Sequence, residues 1–208
     1  MAYKITPSLY NAWLFYAKPM FDRTPEQEVD AKADFMRVLR KEPSEPSPAI
    51  LKGINFENAI EEYAKGTGKA FSFDDKKDAD EIKCAEYIAK LCHDGEFQVR
   101  GGQELPSGNY VYGIADCILL NGIVDFKRVG TYEIGKYQNS IQHLVYMYIW
   151  GISQFHYLVC DGSSEPFEET YTWDKNSLAM LESRIAELIG SVCADSELKP
   201  LFDQYWLY

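Results

Sequence analysis

The chain has 208 residues, of which 46% are hydrophobic and 14% aromatic, and its formal net charge is −11. A chain of this length folds as a single domain, and its apolar content is enough for a substantial core. The acidic balance excludes a general nucleic-acid coat protein, which would carry a basic stripe, but it does not exclude an enzyme with a local basic groove.

The sequence predicts a cytoplasmic protein. Its first residues lead into a polar turn rather than into the apolar segment of a signal peptide. The most apolar run, residues 144–152, is too short to span a bilayer. The cysteines are scattered, odd in number and without a CxxC pair, so neither a zinc site nor a disulfide framework is indicated. We interpret all five as reduced thiols: Cys84, Cys92, Cys117, Cys160 and Cys193.

Helices are predicted to dominate the first half of the chain. They are expected at residues 7–16, 25–40, 49–64 and 78–92. Thr6 and Pro7 favour a helix start, because a threonine side chain caps free backbone N–H groups and proline suits the first helical position. The proline-rich segment 41–48 separates the second helix from the third, and Gly66 and Gly68 end the third.

The second half alternates strands and helices. Strands are predicted at residues 98–104, 154–160 and 168–173, a two-stranded hairpin at 113–127, and helices at 135–151 and 175–192. Asp174 is the expected N-cap of the last helix. This order predicts a mixed α/β fold with a small central sheet flanked by helices. We expect one domain over residues 1–208, with a helical elaboration at about 1–48 and a core at about 49–208.

The hairpin carries the most informative residues. Asn121-Gly122 lies between two apolar runs and is a strong hairpin signal, because a type I′ turn needs a positive φ at both central residues. If these two residues form the loop, Asp116 faces Lys127, and Asp125 lies on the diagonal, roughly 7–8 Å from Asp116 between Cα atoms. The three charges then share one face, and the other face is predicted to be core: Ala115, Cys117, Val124 and Phe126.

Charged side chains in apolar strands are costly unless they are paired or bind a metal. Asp116 and Asp125, at the predicted spacing, can converge on one cation. The alternative is a buried ion-pair network that only specifies the fold, with Lys127 neutralising Asp116. That alternative leaves the carboxylates of Asp125 and Glu57 without a partner, so a metal site is the better hypothesis.

Glu57 breaks the pattern of its predicted helix. Residues 53, 57, 60 and 64 form one stripe at the helical period, and Glu57 lies on this core-facing stripe. A core-facing glutamate usually has a partner or a metal. The alternative is a glutamate at the edge of the stripe whose carboxylate reaches water.

Gln142 and Tyr146 are four residues apart on the predicted helix after the hairpin, so their side chains are neighbours. Without further information, the pair indicates a side-chain hydrogen bond within a core helix. His143 points about 100° away and is interpreted as an ordinary, partly buried histidine. Lys127, Arg128 and Lys136 together could line a groove for a polyanion, although each alone is an unremarkable surface cation.

Taken together, these residues resemble the PD-(D/E)XK nuclease superfamily and, within it, the RecB-like and phage-type exonuclease branch. The signature of that superfamily is an acid on one strand and D/E-x-K on the next, matched by Gly113-x-x-Asp116 and by Asp125-Phe-Lys127. The branch adds Q-x-x-x-Y on the following helix, matched by Gln142 to Tyr146, and a glutamate on an upstream helix, matched by Glu57. The resemblance covers about residues 50–160, and no proline precedes Asp116.

The resemblance implies a restriction-endonuclease-like core and a role for each matched residue. Asp116, Asp125, the backbone carbonyl of Phe126 and Glu57 would hold Mg²⁺ or Mn²⁺, which prefer oxygen ligands. Lys127 would orient or help deprotonate the attacking water. The residues that would position the phosphate or support the site are Gln142, Tyr146, Arg128 and Lys136. No Fe–S cluster is expected, because the downstream cysteine cluster of the iron–sulfur subfamily is missing.

The function that the resemblance implies is metal-dependent hydrolysis of DNA phosphodiester bonds, by an exonuclease of phage or bacterial recombination and repair. DNA is the expected partner. A recombination or annealing protein as a second partner and a homo-oligomer are allowed by analogy, and no membrane is expected. Two alternatives are a structure- or sequence-specific endonuclease and a catalytically silent relative that only binds nucleic acid.

Overall fold

The computed structural model describes residues 1–18, 23–67 and 79–208, within which the chain forms six strands and seven helices. The strands are β1 (Lys4–Ile5), β2 (Glu96–Glu104), β3 (Tyr110–Leu119), β4 (Gly122–Arg128), β5 (Gln154–Cys160) and β6 (Phe167–Thr172). The helices are α1 (Pro7–Ala17), α2 (Pro25–Leu39), α3 (Pro48–Ala64), α4 (Ala79–Leu91), α5 (Gln142–Trp150), α6 (Ser177–Ala194) and α7 (Leu198–Trp206). Gly68 and Asp78, which were predicted at helix ends, lie outside the described residues.

The first helices begin where the sequence predicts. The Thr6 hydroxyl accepts a hydrogen bond from the backbone N–H of Leu9 at 3.2 Å, and Pro7 occupies the first turn of α1. Helix α2 starts with a capping box, in which Thr24 and Gln27 each bond to the other's backbone N–H. These contacts satisfy N–H groups that have no partner inside a helix.

The sheet is mixed, which confirms the predicted fold class. Its strand order is β1-β3-β4-β5-β6, and β2 pairs with the other edge of β3. Two different strands therefore share one edge of β3. The short strand β1, which the sequence did not predict, pairs in parallel at Tyr110 and Val111, and β4 pairs in the antiparallel sense from Cys117 to Leu119. The part of this edge between Val111 and Cys117 has no strand partner in the described chain.

Helices cover the two faces of the sheet with separate apolar cores. On one face, α1, α2, α5, α6 and α7 pack around residues such as Trp13, Val145 and Ile185. On the other face, α3 and α4 pack Phe56 and Ile88 against β4 and β5. The N-terminal helices share the larger core with the rest of the chain, and the predicted boundary near residue 48 stays a prediction.

The predicted register of the β3–β4 hairpin is wrong. Leu119 pairs with Gly122, so the loop consists of Leu120 and Asn121 rather than of Asn121 and Gly122. The parallel pairing of β4 with β5 fixes the position of β4 and buries Ile123 completely. Leu120 is left at the tip of the loop, 95% exposed. Burial in the sheet thus outweighs the local preference of the turn sequence.

The helix predicted from residue 135 begins only at Gln142. Gly135 has a φ of +86°, which a helix does not allow, and an irregular connecting loop occupies residues 129–141. The guanidinium of Arg184 holds this loop by donating to the carbonyl oxygens of Ser140 at 2.9 Å and Gln138 at 3.2 Å. The loop is therefore attached to α6 rather than extending α5.

The last two helices differ from the sequence prediction. Helix α6 begins at Ser177, and Asp174 accepts hydrogen bonds from Asn176 and Ser177 just before it without being the N-cap residue. Helix α7 was not predicted.

All five cysteines are free thiols. No helix in the described ranges has the length and apolar character needed to cross a membrane.

His143 is more deeply buried than the sequence suggested. Its side chain is 3% exposed, its ring stacks on Tyr171 with centroids 4.0 Å apart, and its Nδ1 atom has no hydrogen-bond partner among the described residues. Burial, together with the positive charge of Arg184, lowers the pKa of His143 to about 3.

The folded state should therefore lose stability in mild acid. The unfolded chain binds a proton at His143 near the ordinary pKa of 6.5, whereas the folded chain does not. The stabilisation that comes from keeping His143 uncharged is complete above about pH 6.5. The free energy of unfolding is lower by about 1.4 kcal/mol at pH 5.5. In His143→Phe, which keeps an aromatic ring, denaturant unfolding at pH 8 and pH 5.5 should show a loss smaller by that amount. The exposed His93, changed to Phe, is the control, and equal losses in wild type and His143→Phe would contradict the assignment.

Candidate active site

Most of the predicted site residues lie at a fork between β3 and β4. The ladder between the two strands ends at the pair Cys117–Val124, and the next residues along the strands are Asp116 and Asp125. The Asp116 Oδ2 atom accepts the backbone N–H of Phe126 at 2.9 Å. A side chain thus replaces a backbone hydrogen bond that the separated strands no longer form. The prediction that Asp116 faces Lys127 is wrong, because it was derived from the hairpin register that the structure does not have.

Helix α5 fills the fork from one side. The Tyr146 hydroxyl donates to the carbonyl oxygen of Ile114 at 2.7 Å, which satisfies the unpaired edge of β3. The Gln142 amide donates to Asp125 Oδ1 and to the Tyr146 hydroxyl, the latter at 3.4 Å. The predicted Gln142–Tyr146 pair is therefore present, and it also holds one of the two strand carboxylates. A Cβ atom at Gly113 would overlap the Tyr146 ring, so this strand position needs a glycine.

The side chains of β3 switch to the opposite face of the sheet at Asp116. Ala115 packs in the core on the α5 face, while Cys117 packs in the core on the opposite face. Two residues apart in a regular strand, they should point the same way. The ladder with β2 lacks the pair between Gln98 and Asp116, and Gln98 has a φ of +54°. Ala115 is core as predicted, but it lies on the other face from Cys117, because the backbone at this point is irregular and directs the Asp116 side chain across the fork.

Asp125 is almost completely buried and forms an ion pair with Lys127. It is 1% exposed, and the Lys127 ammonium contacts its Oδ2 atom. That oxygen accepts no well-formed hydrogen bond within the described residues. Burial raises the pKa of Asp125, although Lys127 opposes the change. Burial alone would lower the pKa of Lys127, but the carboxylates of Asp125 and Asp116 raise it above its ordinary value.

Asp116 and Glu57 belong to the same electrostatic cluster. Burial is the largest cause that raises the pKa of Asp116, followed by the charge of Asp125. Glu57, on α3, is half-buried, and burial likewise raises its pKa while Lys127 lowers it. The structure thus places Glu57, which belongs to α3 on the other face of the sheet from α5, near the charged residues of the fork. Three carboxylates and one ammonium leave an excess of two negative charges when all are ionised.

The residues present fit a divalent cation. Mg²⁺ and Mn²⁺ prefer oxygen ligands and neutralise negative charge, and Asp125 offers a buried oxygen that the Lys127 ammonium contacts without a well-formed hydrogen bond. Within the described residues, no three acidic, histidine or cysteine side chains are close enough to form a complete metal cage. Asp116 and Asp125 would therefore need further oxygen ligands. The candidates are the backbone carbonyl of Phe126 and water, with the carboxylate of Glu57 acting through water.

Arg128 and Lys136 lie apart from the acids. Arg128 points to the opposite face of β4 and forms a two-pronged ion pair with Glu81 of α4, at 2.9 and 3.3 Å. Lys136 donates to the carbonyl oxygen of Thr131 at 3.3 Å. Its side chain lines a cavity of about 860 Å³ among α1, α2 and α6, whose lining contains none of Asp116, Asp125 and Lys127. The structure therefore does not bring these two cations to the fork.

Two tyrosines near the fork were not predicted. Tyr157 on β5 pairs with Asp125 across the parallel ladder, and the Tyr137 ring stacks on it with centroids 4.5 Å apart. The Lys127 ammonium lies 5.9 Å from the centroid of Tyr157. The alternation along β5 could have placed Tyr157, but Tyr137 lies in the connecting loop, where no periodicity applies.

Comparisons with known proteins identify the fold. No family model and no curated protein matches the sequence. The alkaline exonuclease LHK-Exo from Laribacter hongkongensis matches over 97% of this chain and 92% of its own, with a TM-score of 0.51 and 13% identity. LHK-Exo in complex with dAMP matches over the same shares, with a TM-score of 0.53 and 14% identity. The chain has the fold of these exonucleases.

A protein from Eubacterium rectale assigned as an exonuclease matches over 89% of this chain and 80% of its own, with a TM-score of 0.50 and 16% identity. Together the matches confirm that the chain has the exonuclease fold that the resemblance implies. At 13–16% identity they carry the fold alone, and the roles of individual residues depend on the geometry of the fork.

The contact between Gly113 and Tyr146 can be tested directly. Gly113→Ala should push the Tyr146 ring away from β3 and destabilise the fold by about 1–3 kcal/mol in denaturant unfolding. Gly130→Ala is the matched control, because a Cβ atom there meets nothing within 4 Å. It should change stability by less than about 0.5 kcal/mol. Equal effects of the two substitutions would show that Tyr146 does not depend on the glycine.

Proposed function

We propose that this protein is a metal-dependent nuclease that hydrolyses DNA phosphodiester bonds, and that it acts as an exonuclease. The observation that carries the proposal is the fork, where Asp116 and Asp125 follow the last ladder pair and Lys127 contacts Asp125. A fold without catalytic need would gain stability from apolar residues at these positions. The exonuclease fold and the order of the four motif elements support the same conclusion.

In this proposal the carboxylates of Asp116 and Asp125 and the backbone carbonyl of Phe126 would hold Mg²⁺ or Mn²⁺, and Glu57 would complete the shell through water. When bound, the cation would activate water and neutralise the negative charge of the phosphate. The Gln142 amide keeps Asp125 oriented through its hydrogen bond. Tyr146 fixes Gln142 and the edge of β3, so both residues position the carboxylates rather than react.

Lys127 is the group that we expect to contact the substrate. Its side chain is 27% exposed and its ammonium lies beside Asp125, so it can donate hydrogen bonds to a phosphate oxygen or to the attacking water. In the hydrolysis, the water oxygen forms the new bond to phosphorus and the bond from phosphorus to the leaving oxygen breaks. The proton of the water ends on the leaving oxygen, which becomes the hydroxyl of the released end.

DNA is the proposed substrate because the LHK-Exo structure contains a deoxynucleotide, dAMP. A role in phage or bacterial recombination and repair, in the cytoplasm, belongs to the same proposal. So do assembly into a homo-oligomer and cooperation with a recombination or annealing protein. Because the net charge is −11, DNA would be attracted by a bound cation and by local cations such as Lys127.

The proposal predicts degradation of linear DNA in the presence of Mg²⁺. End-labelled linear duplex, single-stranded DNA and closed circular DNA should be incubated with the protein in Mg²⁺ and in EDTA. Loss of linear DNA with intact circles, and no loss in EDTA, is the expected result. Cleavage of circles would instead identify an endonuclease, and no cleavage of any DNA in Mg²⁺ or Mn²⁺ would overturn the proposal.

A substitution of Lys127 tests the site itself. Lys127→Ala should reduce the rate on linear DNA by at least about a hundredfold, since it removes the cation beside the reacting phosphate. The exposed Lys90, changed to Ala, removes the same charge from α4 and should leave the rate unchanged. Circular dichroism of both variants checks that they fold. Full activity of folded Lys127→Ala would show that the lysine has no part in the reaction.

A further inference from the structure

A line of aromatic rings leads from the fork to the protein surface. Tyr157 stacks with Tyr137 at 4.5 Å between centroids, Tyr137 with Tyr132 at 6.4 Å, and Tyr132 packs against Phe167 at 5.2 Å. The first two pairs are close to parallel, with interplanar angles of 27° and 21°. Three elements supply the rings: β5, the connecting loop and β6. The motif residues of the proposed nuclease site include none of these four.

The inner end of this line touches the catalytic face. Tyr157 is fully buried and lies opposite Asp125 in the β4–β5 ladder. Burial raises the pKa of Tyr137 to about 12, while the charge of Lys127 acts to lower it and that of Asp125 to raise it. Tyr137 therefore lies within electrostatic range of the residues that would contact a phosphate.

The outer end of the line is open to solvent. Phe167 is 43% exposed, and Tyr132 and Tyr137 are half-buried. A ring that only filled the core would be covered, as Tyr157 is. The exposed part of the line is thus available to a flat apolar group that approaches from solvent next to the fork.

The loop that carries Tyr132 and Tyr137 is held in place from two sides. Glu169 of β6 accepts hydrogen bonds from the Tyr132 hydroxyl at 2.6 Å and from the backbone N–H of Gly135 at 3.3 Å. On the α6 side, Arg184 donates to two carbonyl oxygens of the same loop. Because the loop is fixed before any ligand arrives, the rings would lose little conformational entropy on binding.

We propose that Tyr137 and Tyr132 form a stacking subsite for the bases of the DNA strand whose phosphate lies at the fork. The inference rests on the proposed nuclease function and specifies the form of its substrate. A base can stack on a side chain only when it is unpaired, so the subsite takes single-stranded or frayed ends. Stacking uses the flat face that every base has, so it gives affinity with little sequence preference.

The subsite can be tested by binding without catalysis. Labelled single-stranded oligonucleotides should be titrated in Ca²⁺, with the strands checked for cleavage afterwards, one with all bases and one with abasic nucleotides in the terminal positions of both ends. Tyr137→Leu should weaken binding of the intact strand roughly tenfold. It should leave binding of the abasic strand within about twofold of wild type, because no terminal base remains to stack. Tyr137→Phe keeps the ring and should bind both strands as wild type does.

Tyr87→Leu is the matched control, since Tyr87 is exposed on α4, away from the line of rings. Equal weakening of both strands by Tyr137→Leu, or no weakening of either, would overturn the stacking subsite. The cleavage assay in Mg²⁺ reports separately on the proposed function. Base-dependent binding without any cleavage would sink the nuclease proposal while leaving the subsite, and cleavage without base dependence would do the reverse.

Discussion

The separation of β3 and β4 is the feature on which the rest of the site depends. Strands that stop pairing inside a protein leave backbone N–H and C=O groups that must find other partners. Here those partners are side chains of the proposed site. Asp116 accepts from the backbone of β4, and Tyr146 donates to the backbone of β3. Residues of the proposed site thus also keep the fork open, so the fold and the site are not independent.

The second cost of the fork is electrostatic. Burial raises the pKa of Asp116, Asp125 and Glu57, which means that the folded chain destabilises their charged forms. Lys127 compensates only part of the negative charge. Clusters of this kind are typical of functional sites, where stability is given up for a charge pattern that a ligand completes. The same imbalance explains how an acidic protein can still attract a phosphate, once a cation is bound at this point.

For Glu57, Gln142 and Tyr146, the sequence predicted that they lie near the strand acids, but it did not predict how the two strands pair. Spacing and motif order brought Glu57, Gln142 and Tyr146 together with the strand acids, because each lies on a regular helix or strand. The pairing of Asp116 was predicted wrongly, since the register of β4 is set by its contact with β5 and not by the turn residues. Local propensity carries no information about that non-local contact.

The conformation of the connecting loop could not be predicted from the sequence either. Tyr137 was predicted within a helix, but its segment is an irregular loop that forms hydrogen bonds with α6 and β6. Those contacts join segments more than thirty residues apart along the chain, and no short-range pattern encodes them. Arg128 was predicted to support the site, but strand alternation turns its side chain towards Glu81. Its neighbour Lys127 points to the other face of β4 and reaches the fork.

The central claim is that the fork holds carboxylates close together in order to bind a divalent cation. Thermal unfolding in EDTA and in increasing Mn²⁺ tests it most directly, with wild type compared with Asp116→Asn, whose amide oxygen can still accept from Phe126. Wild type should gain melting temperature with Mn²⁺, because a ligand that binds only the folded state stabilises it. Asp116→Asn should melt no lower than wild type in EDTA and should not respond to Mn²⁺. A wild type that Mn²⁺ does not stabilise, or an equal gain in the variant, would contradict the claim.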